Sequence, residues 1–222
     1  MSRNGQAEVL SALDAIFTRR SVRAYDTTHV VDESTVRSLL DAAVQAPTAM
    51  HGEPWEFVVV QDPAMLKRLS DRAKHKWLDE AAHYRDLHAH AAAADESAFA
   101  KQLADPKFSI FYDAGTLVVI CARQTPFAVA DCWLAAENFM LAACALGLGT
   151  CCIGAAIPGL NAPASKADLD IPADVEAVAA LVVGVPRESP PEGVRKAPHI
   201  LSWTLHQSRS VPPVHAAHGQ KR

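Results

Sequence analysis

The chain of 222 residues carries a formal charge of −4, with half of its residues hydrophobic and about a fifth charged. That length suits one large domain with a substantial core, and the acidic balance sets aside duplex nucleic acid as the default partner. We read no apolar run near the roughly 18–20 residues that cross a bilayer, and the opening MSRNGQAEVLSALDA lacks the pattern of a signal peptide, so a cytoplasmic location is expected.

In chain order, a first helix is expected over residues 6–19, where Leu10, Leu13 and Phe17 recur at helical spacing and Ile16 widens the stripe. A second begins after Asp32, a good N-cap, with Val36, Leu39, Leu40, Ala43 and Val44 on one face. Pro47 ends it near Ala46, because the residue before proline avoids helical dihedrals. WEFVVVQ, residues 55–61, is a β-branched run and reads as a strand. Asp62-Pro63 then opens a third helix, cap followed by first-turn proline, with Met65, Leu66, Leu69 and Ala73 as its stripe.

Residues 74–97 are Ala-rich and hold His75, His83, His88 and His90; they read as helix with a polar face, a lid or an excursion from the core. His83, His88 and His90 do not repeat at i, i+4, so no metal is expected there. TLVVICA, residues 116–122, is a buried strand. FAVADCWLAAENFMLAACALG is apolar on nearly every side apart from Asp131, Glu137 and Asn138, as befits a helix at the middle of a core or at an oligomer interface. Gly147 and Gly149 read as its stop and tight turn. VAALVVGVP, residues 178–186, is the third strong strand. Residues 1–206 read as one domain and 207–222 as a flexible tail.

This order is not a βαβ alternation, and no nucleotide-type glycines follow the first strand. The expected class is α+β, one sheet sandwiched by helices. The five cysteines, with Cys151 and Cys152 adjacent and no C-x-x-C spacing, fit neither a disulfide framework nor a zinc site, and read as buried small apolar residues.

Four segments carry candidate chemistry. TRRSVRAYD packs Arg19, Arg20 and Arg23 around Ser21. A phosphate monoester suits such a cluster, since guanidinium forks match its oxygens and the hydroxyl adds a donor; a solvated helix end is the plain alternative. GLGTCCIG, residues 147–154, fails the dinucleotide pattern because Cys152 stands where glycine is required, yet Gly154 would let a ligand approach the backbone. APTAMHGEPWEFVVV offers Pro47, Thr48, Ala49 and His51 on a narrow loop able to lie against a flat ring. PPEGVRKAP adds Arg195 and Lys196.

Together these segments resemble the FMN-dependent nitroreductase family from about Leu13 to Pro198, vaguely so between Lys74 and Asp113. RRSVRAY is similar to that family's R-x-S-x-R/K-x-F/Y segment, and QAPTAMHGEPWEFVVV to its A-P-S-x-x-N-x-Q-P-W-x-F loop. LAAENFMLAACALGLGTCCIGA resembles its central helix and turn, and LVVGVP with RKAP its last strand and basic tail.

The resemblance implies a mostly antiparallel sheet within an intertwined homodimer, with one FMN in each of two sites shared across the interface. Arg19 and Ser21 would bind the flavin phosphate and ribityl chain, with Arg20 nearby, and Arg23 would reach the N1/O2 edge of the ring. Pro47, Thr48, Ala49 and His51 would come from the partner, Ile153 and Gly154 would face N5, and Arg195 and Lys196 would close on the phosphate. His51 departs from the family's asparagine, Glu53 from its glutamine, and Cys151-Cys152 from a turn that often holds an aromatic residue; Lys74 and Lys76 are candidates for the pyrimidine side. The implied activity is ping-pong reduction of a nitroaromatic or quinone by NADH or NADPH, with no side chain assigned as acid or base. Dehalogenation, dehydrogenation, flavin fragmentation, or flavin carriage without turnover are the alternatives.

Overall fold

The computed structural model describes residues 10–87, 94–190 and 193–204, with side chains at all of these except 81–87 and 94–97. Its elements are α1 (Ala12–Thr18), α2 (Glu33–Ala43), β1 (Trp55–Val60), α3 (Pro63–Leu87), α4 (Ala94–Ala104), β2 (Thr116–Arg123), α5 (Ala128–Ala145), β3 (Gly149–Cys152), α6 (Ile157–Leu160), α7 (Pro163–Asp168) and β4 (Val175–Gly184). The strands form one sheet in the order β1-β2-β4-β3, and every neighbouring pair is antiparallel.

Period-2 alternation divides the sheet between two cores. Leu117, Val119 and Cys121 of β2 join Ala180 and Val182 of β4 on the face covered by Leu69 and Ala73 of α3 and Leu160 of α6. Val118, Ile120 and Ala122 join Ala179, Leu181 and Val183 on the other face, beneath Val36 and Leu39 of α2 and Ala135, Ala136 and Phe139 of α5. Because β2 is buried on both faces, its sequence runs apolar without a break. Opposite Ile120 and Cys121 the β4 partners step from Ala179 to Ala177, a bulge at Val178. Helices on both faces of an antiparallel sheet are the α+β sandwich expected above.

Local chemistry sets the boundaries. Asp32 accepts from the Thr35 N–H at 2.9 Å and Asp62 from the Met65 N–H at 2.6 Å, each capping its helix. At the end of α5, Gly147 takes φ 76°, and the Leu148 N–H returns to the Ala143 carbonyl at 2.9 Å, the αL stop that glycine permits.

Several expectations need correction. The apolar stripe of α1 faces away from the chain's own core: Leu13, Ile16 and Phe17 are more than half exposed, and Ala15 is the buried residue. The described helix starts at a Ser11 cap, and residues 6–9 lie outside the described part. Gly149 is not a helix stop but the first residue of β3, a strand the glycine-rich reading missed, as it missed α6 and α7. The expectation of no span-length apolar run is also overturned. At 18 residues and mean hydropathy 1.3, α5 is long and apolar enough to cross a membrane by length and composition. Here one side of it packs on the sheet through small residues that allow close approach.

The segment 74–97 is helical in α3 and α4; His88 and His90, and the side chain of His83, lie outside the description. Cys121, Cys132 and Cys151 are buried and Cys144 and Cys152 half-buried, all with free thiols. Burial pushes the thiol of Cys121 up to about 12 and that of Cys132 to about 11. The chain divides into two units, Met1–Glu192 and Gly193–Arg222. The described part of the second is irregular backbone, on which Arg195 and Lys196 are exposed.

Candidate functional site

The arginine-rich segment is fixed against the β3 edge of the sheet. The chain leaves α1 at Arg19, whose ψ of 136° breaks the helix. The Val22 N–H then donates to the Thr150 carbonyl at 2.9 Å, with Ser21 bridging Thr150 in parallel. Farther on, Tyr25 bridges Pro186, and the Asp26 N–H donates to the Val185 carbonyl at 2.9 Å. Val22 and Tyr25 point inward, and the Tyr25 hydroxyl donates to the Val22 carbonyl at 2.8 Å. Burial raises its phenol well above the usual range. Ser21 and Arg23 stay on the exposed side.

The three guanidiniums differ in what holds them. Arg19 has a loose ion pair with Glu137 at 3.7 Å. Arg20 donates through Nη1 to the Phe17 and Arg19 carbonyls at 2.8 and 2.7 Å, closing the C-terminal end of α1. Its buried Nε has no partner among the described residues. Arg23 has no carboxylate partner among them, and its guanidinium lies over the Tyr112 ring, 5.9 Å from the centroid.

Beside these cations β3 ends in a turn. The Ile153 N–H donates to the Ala180 carbonyl at 2.8 Å, and a 3₁₀ turn spans Gly154–Ala156. A Cβ on Gly154 would meet nothing within 4 Å, so its backbone faces open space. That space is a cavity of about 420 Å³ walled by Arg23, Tyr112, Ile110, Phe99 and Gln102, with Cys151, Cys152, Ile153, Gly154 and Ala155 along one side. Burial raises the Cys151 thiol pKa against the opposing pull of Arg23, Ser21 and Arg19, which places it beside that cluster.

Pro47, Thr48, Ala49 and His51 lie elsewhere. Their turn leads into β1, the opposite edge strand of the sheet. The Ala49 N–H donates to the buried carboxylate of Asp131 at 3.2 Å, and the Glu53 N–H to Thr48 Oγ1 at 3.4 Å. Met50, His51 and Glu53 all take positive φ, 55°, 53° and 40°, a conformation that costs L-residues roughly 1–2 kcal/mol each. Met50 is 91% exposed. With two strands between β1 and β3, the edges are three spacings apart, about 14 Å.

The structure thus brings Arg19, Ser21, Arg23, Ile153 and Gly154 together and sets the 47–51 turn apart from them in the same chain. Neither lysine considered above lines the cavity. Lys74 is buried, donating to the Phe108 carbonyl at 2.7 Å, and Lys76 pairs with Glu80 at 3.4 Å. Tyr112, Phe99 and Gln102 were not singled out from the sequence. An aromatic residue in a left-handed loop position leaves no local pattern that would identify it.

A Nitroreductase family model matches residues 16–185. The chain belongs to the Nitroreductase family. It is 32% identical over 177 residues to an Archaeoglobus fulgidus protein named "Putative NADH dehydrogenase/NAD(P)H nitroreductase", covering 79% of this chain and 86% of that one. Among solved structures it is similar to a Bacteroides fragilis nitroreductase with bound FMN, at TM-score 0.71 and 24% identity, covering 89% of this chain and all of that one. It is similar also to iodotyrosine deiodinase bound to FMN and 3-iodo-L-tyrosine, at TM-score 0.67 and 18% identity, covering 88% and 100%. At these identities the two structures speak for the nitroreductase fold alone.

Proposed function

We propose that this nitroreductase-family chain is an FMN-dependent oxidoreductase that works as a homodimer, taking reducing equivalents from NADH or NADPH and delivering them to a nitroaromatic, quinone or similar acceptor. The observation that carries this reading is the pair of weakly held cations, half-buried Arg19 and exposed Arg23, beside the open backbone of Gly154. The donor set suits the cofactor. A phosphate dianion asks for guanidinium and hydroxyl donors, which Arg19 and Ser21 provide. A flat ring asks for a backbone without a side chain in the way, which Gly154 provides.

Bound FMN supplies hydride acceptance and return at its N5. The protein supplies placement and charge. Arg19 and Ser21 hold the phosphate and ribityl chain, and Arg23 sets a fixed cation at the N1/O2 edge, where negative charge is favoured. Ile153 and Gly154 line the N5 side. The 47–51 turn sits at the far sheet edge of its own chain, so Pro47, Thr48, Ala49 and His51 serve the site of a second copy. Self-association is further supported by α1 and α5, which pack together and expose Leu13, Ile16, Trp133 and Leu134. A cytoplasmic location fits this chemistry.

The test is a visible spectrum of the purified protein followed by anaerobic titration with NADH and then with candidate acceptors. A yellow protein bleached by NADH and recoloured by a nitroaromatic or quinone supports the reading. A protein that takes up no FMN overturns it, and one that holds FMN without consuming NADH is a carrier.

A further inference from the structure

Tyr112 has φ 55° and its neighbour Asp113 φ 56°, left-handed backbone that a bulky side chain has no local reason to adopt. The loop around it is held from several directions. The Tyr112 N–H donates to the Ser109 carbonyl at 2.9 Å. From α3, the buried Ser70 hydroxyl accepts from the Ile110 N–H at 3.0 Å, and the buried Lys74 ammonium donates to the Phe108 carbonyl at 2.7 Å. Ile110 and Phe111 are each 1% exposed, and the Phe108 and Tyr112 rings meet at 5.6 Å, nearly perpendicular. These contacts over-determine the loop, and their result is a phenol ring set under the guanidinium of Arg23.

We propose that Tyr112 is a positioning residue: through this strained, anchored loop it holds Arg23 by a cation–π contact and fixes that cation at the cavity wall. A carboxylate could fix the arginine equally well, but it would neutralise it. A ring holds the guanidinium by its quadrupole and leaves the full charge available to a ligand. Burial raises the pKa of Tyr25 and of Cys151, both of which feel the Arg23 charge, and so favours their neutral forms. The consequence for the cofactor rests on the reading of Arg23 given under Proposed function; the contact itself does not.

The test compares wild type with Tyr112→Phe, which keeps the ring, and Tyr112→Asn, which removes it while tolerating the left-handed backbone. In protein freed of FMN, the Arg23 side-chain protons should be shifted upfield by the ring current in wild type and Tyr112→Phe, and lose that shift in Tyr112→Asn. FMN affinity should fall about two- to fivefold in Tyr112→Asn, the range of an exposed cation–π contact, and stay at the wild-type level in Tyr112→Phe. On an Arg23→Gln background Tyr112→Asn should cost nothing further. Unshifted Arg23 resonances in wild type, or an equal Tyr112→Asn loss on the Arg23→Gln background, would overturn the proposal. A ring-current shift that is present while Arg23→Gln leaves FMN affinity and reduction potential unchanged would leave the positioning intact and remove Arg23 from the cofactor site.

Discussion

The Val22 N–H donates to the Thr150 carbonyl at 2.9 Å, and this bond ties the arginine-rich segment to the strand that ends at Gly154. Two stretches more than a hundred positions apart thereby become one wall. Their join is tight, since a Cβ on Gly149 would lie 2.7 Å from Val22 Cγ2 and 3.0 Å from Pro186 Cγ.

Gly149→Ala should therefore destabilise the protein by about 1–3 kcal/mol, the usual cost of overpacking. Urea unfolding should show a lower midpoint with an unchanged slope. A variant as stable as wild type would mean that this contact is slack.

Arg19→Ala should weaken FMN binding by about 1.5–3 kcal/mol, the scale of a hydrogen bond to a charged group. Glu137→Gln should bind FMN as tightly as wild type or more so, because it frees Arg19 from its loose pair. Titration of the apoprotein followed by flavin fluorescence measures both, and an unchanged affinity in Arg19→Ala removes it from the phosphate site.

Much of this arrangement was legible in the sequence. Asp32 and Asp62 cap helices because a short carboxylate before an apolar periodic run has few better uses. The runs expected as strands at 55–61, 116–122 and 178–186 fall on β1, β2 and β4 to within a few residues at their ends. What escaped notice depended on partners distant in the chain. Gly149–Cys152 is a strand only because Gly149 and Thr150 register against Gly184 and Val183 of β4. Read locally, its glycines suggest a turn. The stripe on α1 was found, but not its direction, since an apolar face gives no sign of whether it covers its own core or meets another chain. The cations at 19–23 were visible as a cluster; the ring beneath Arg23 was not.

Asp26 accepts from the Thr28 N–H, the Thr28 hydroxyl and His29 Nδ1, and these bonds, Thr28 first, lower its pKa from 3.8 to about 2. A folded-state value below the unfolded one stabilises the fold above the unfolded value and ceases to as pH falls through the folded one. The stability gap between wild type and Asp26→Asn should accordingly be full above about pH 4 and close towards pH 2. Urea melts at pH 5, 3 and 2 measure it, and a gap that does not change with pH would contradict these bonds.

The central claim is that the β3-edge cluster of one copy and the 47–51 turn of another complete a single FMN site, and subunit mixing tests it most directly. One chain carries Arg19→Ala with Arg23→Ala; the other has residues 48–51 replaced by glycine; each alone should bind FMN poorly. Mixed dimers isolated by differential tags should regain one high-affinity FMN per dimer, because one of their two sites draws both intact halves. Mixed dimers that bind no better than either parent, or a monomer that binds FMN with wild-type affinity, would contradict it.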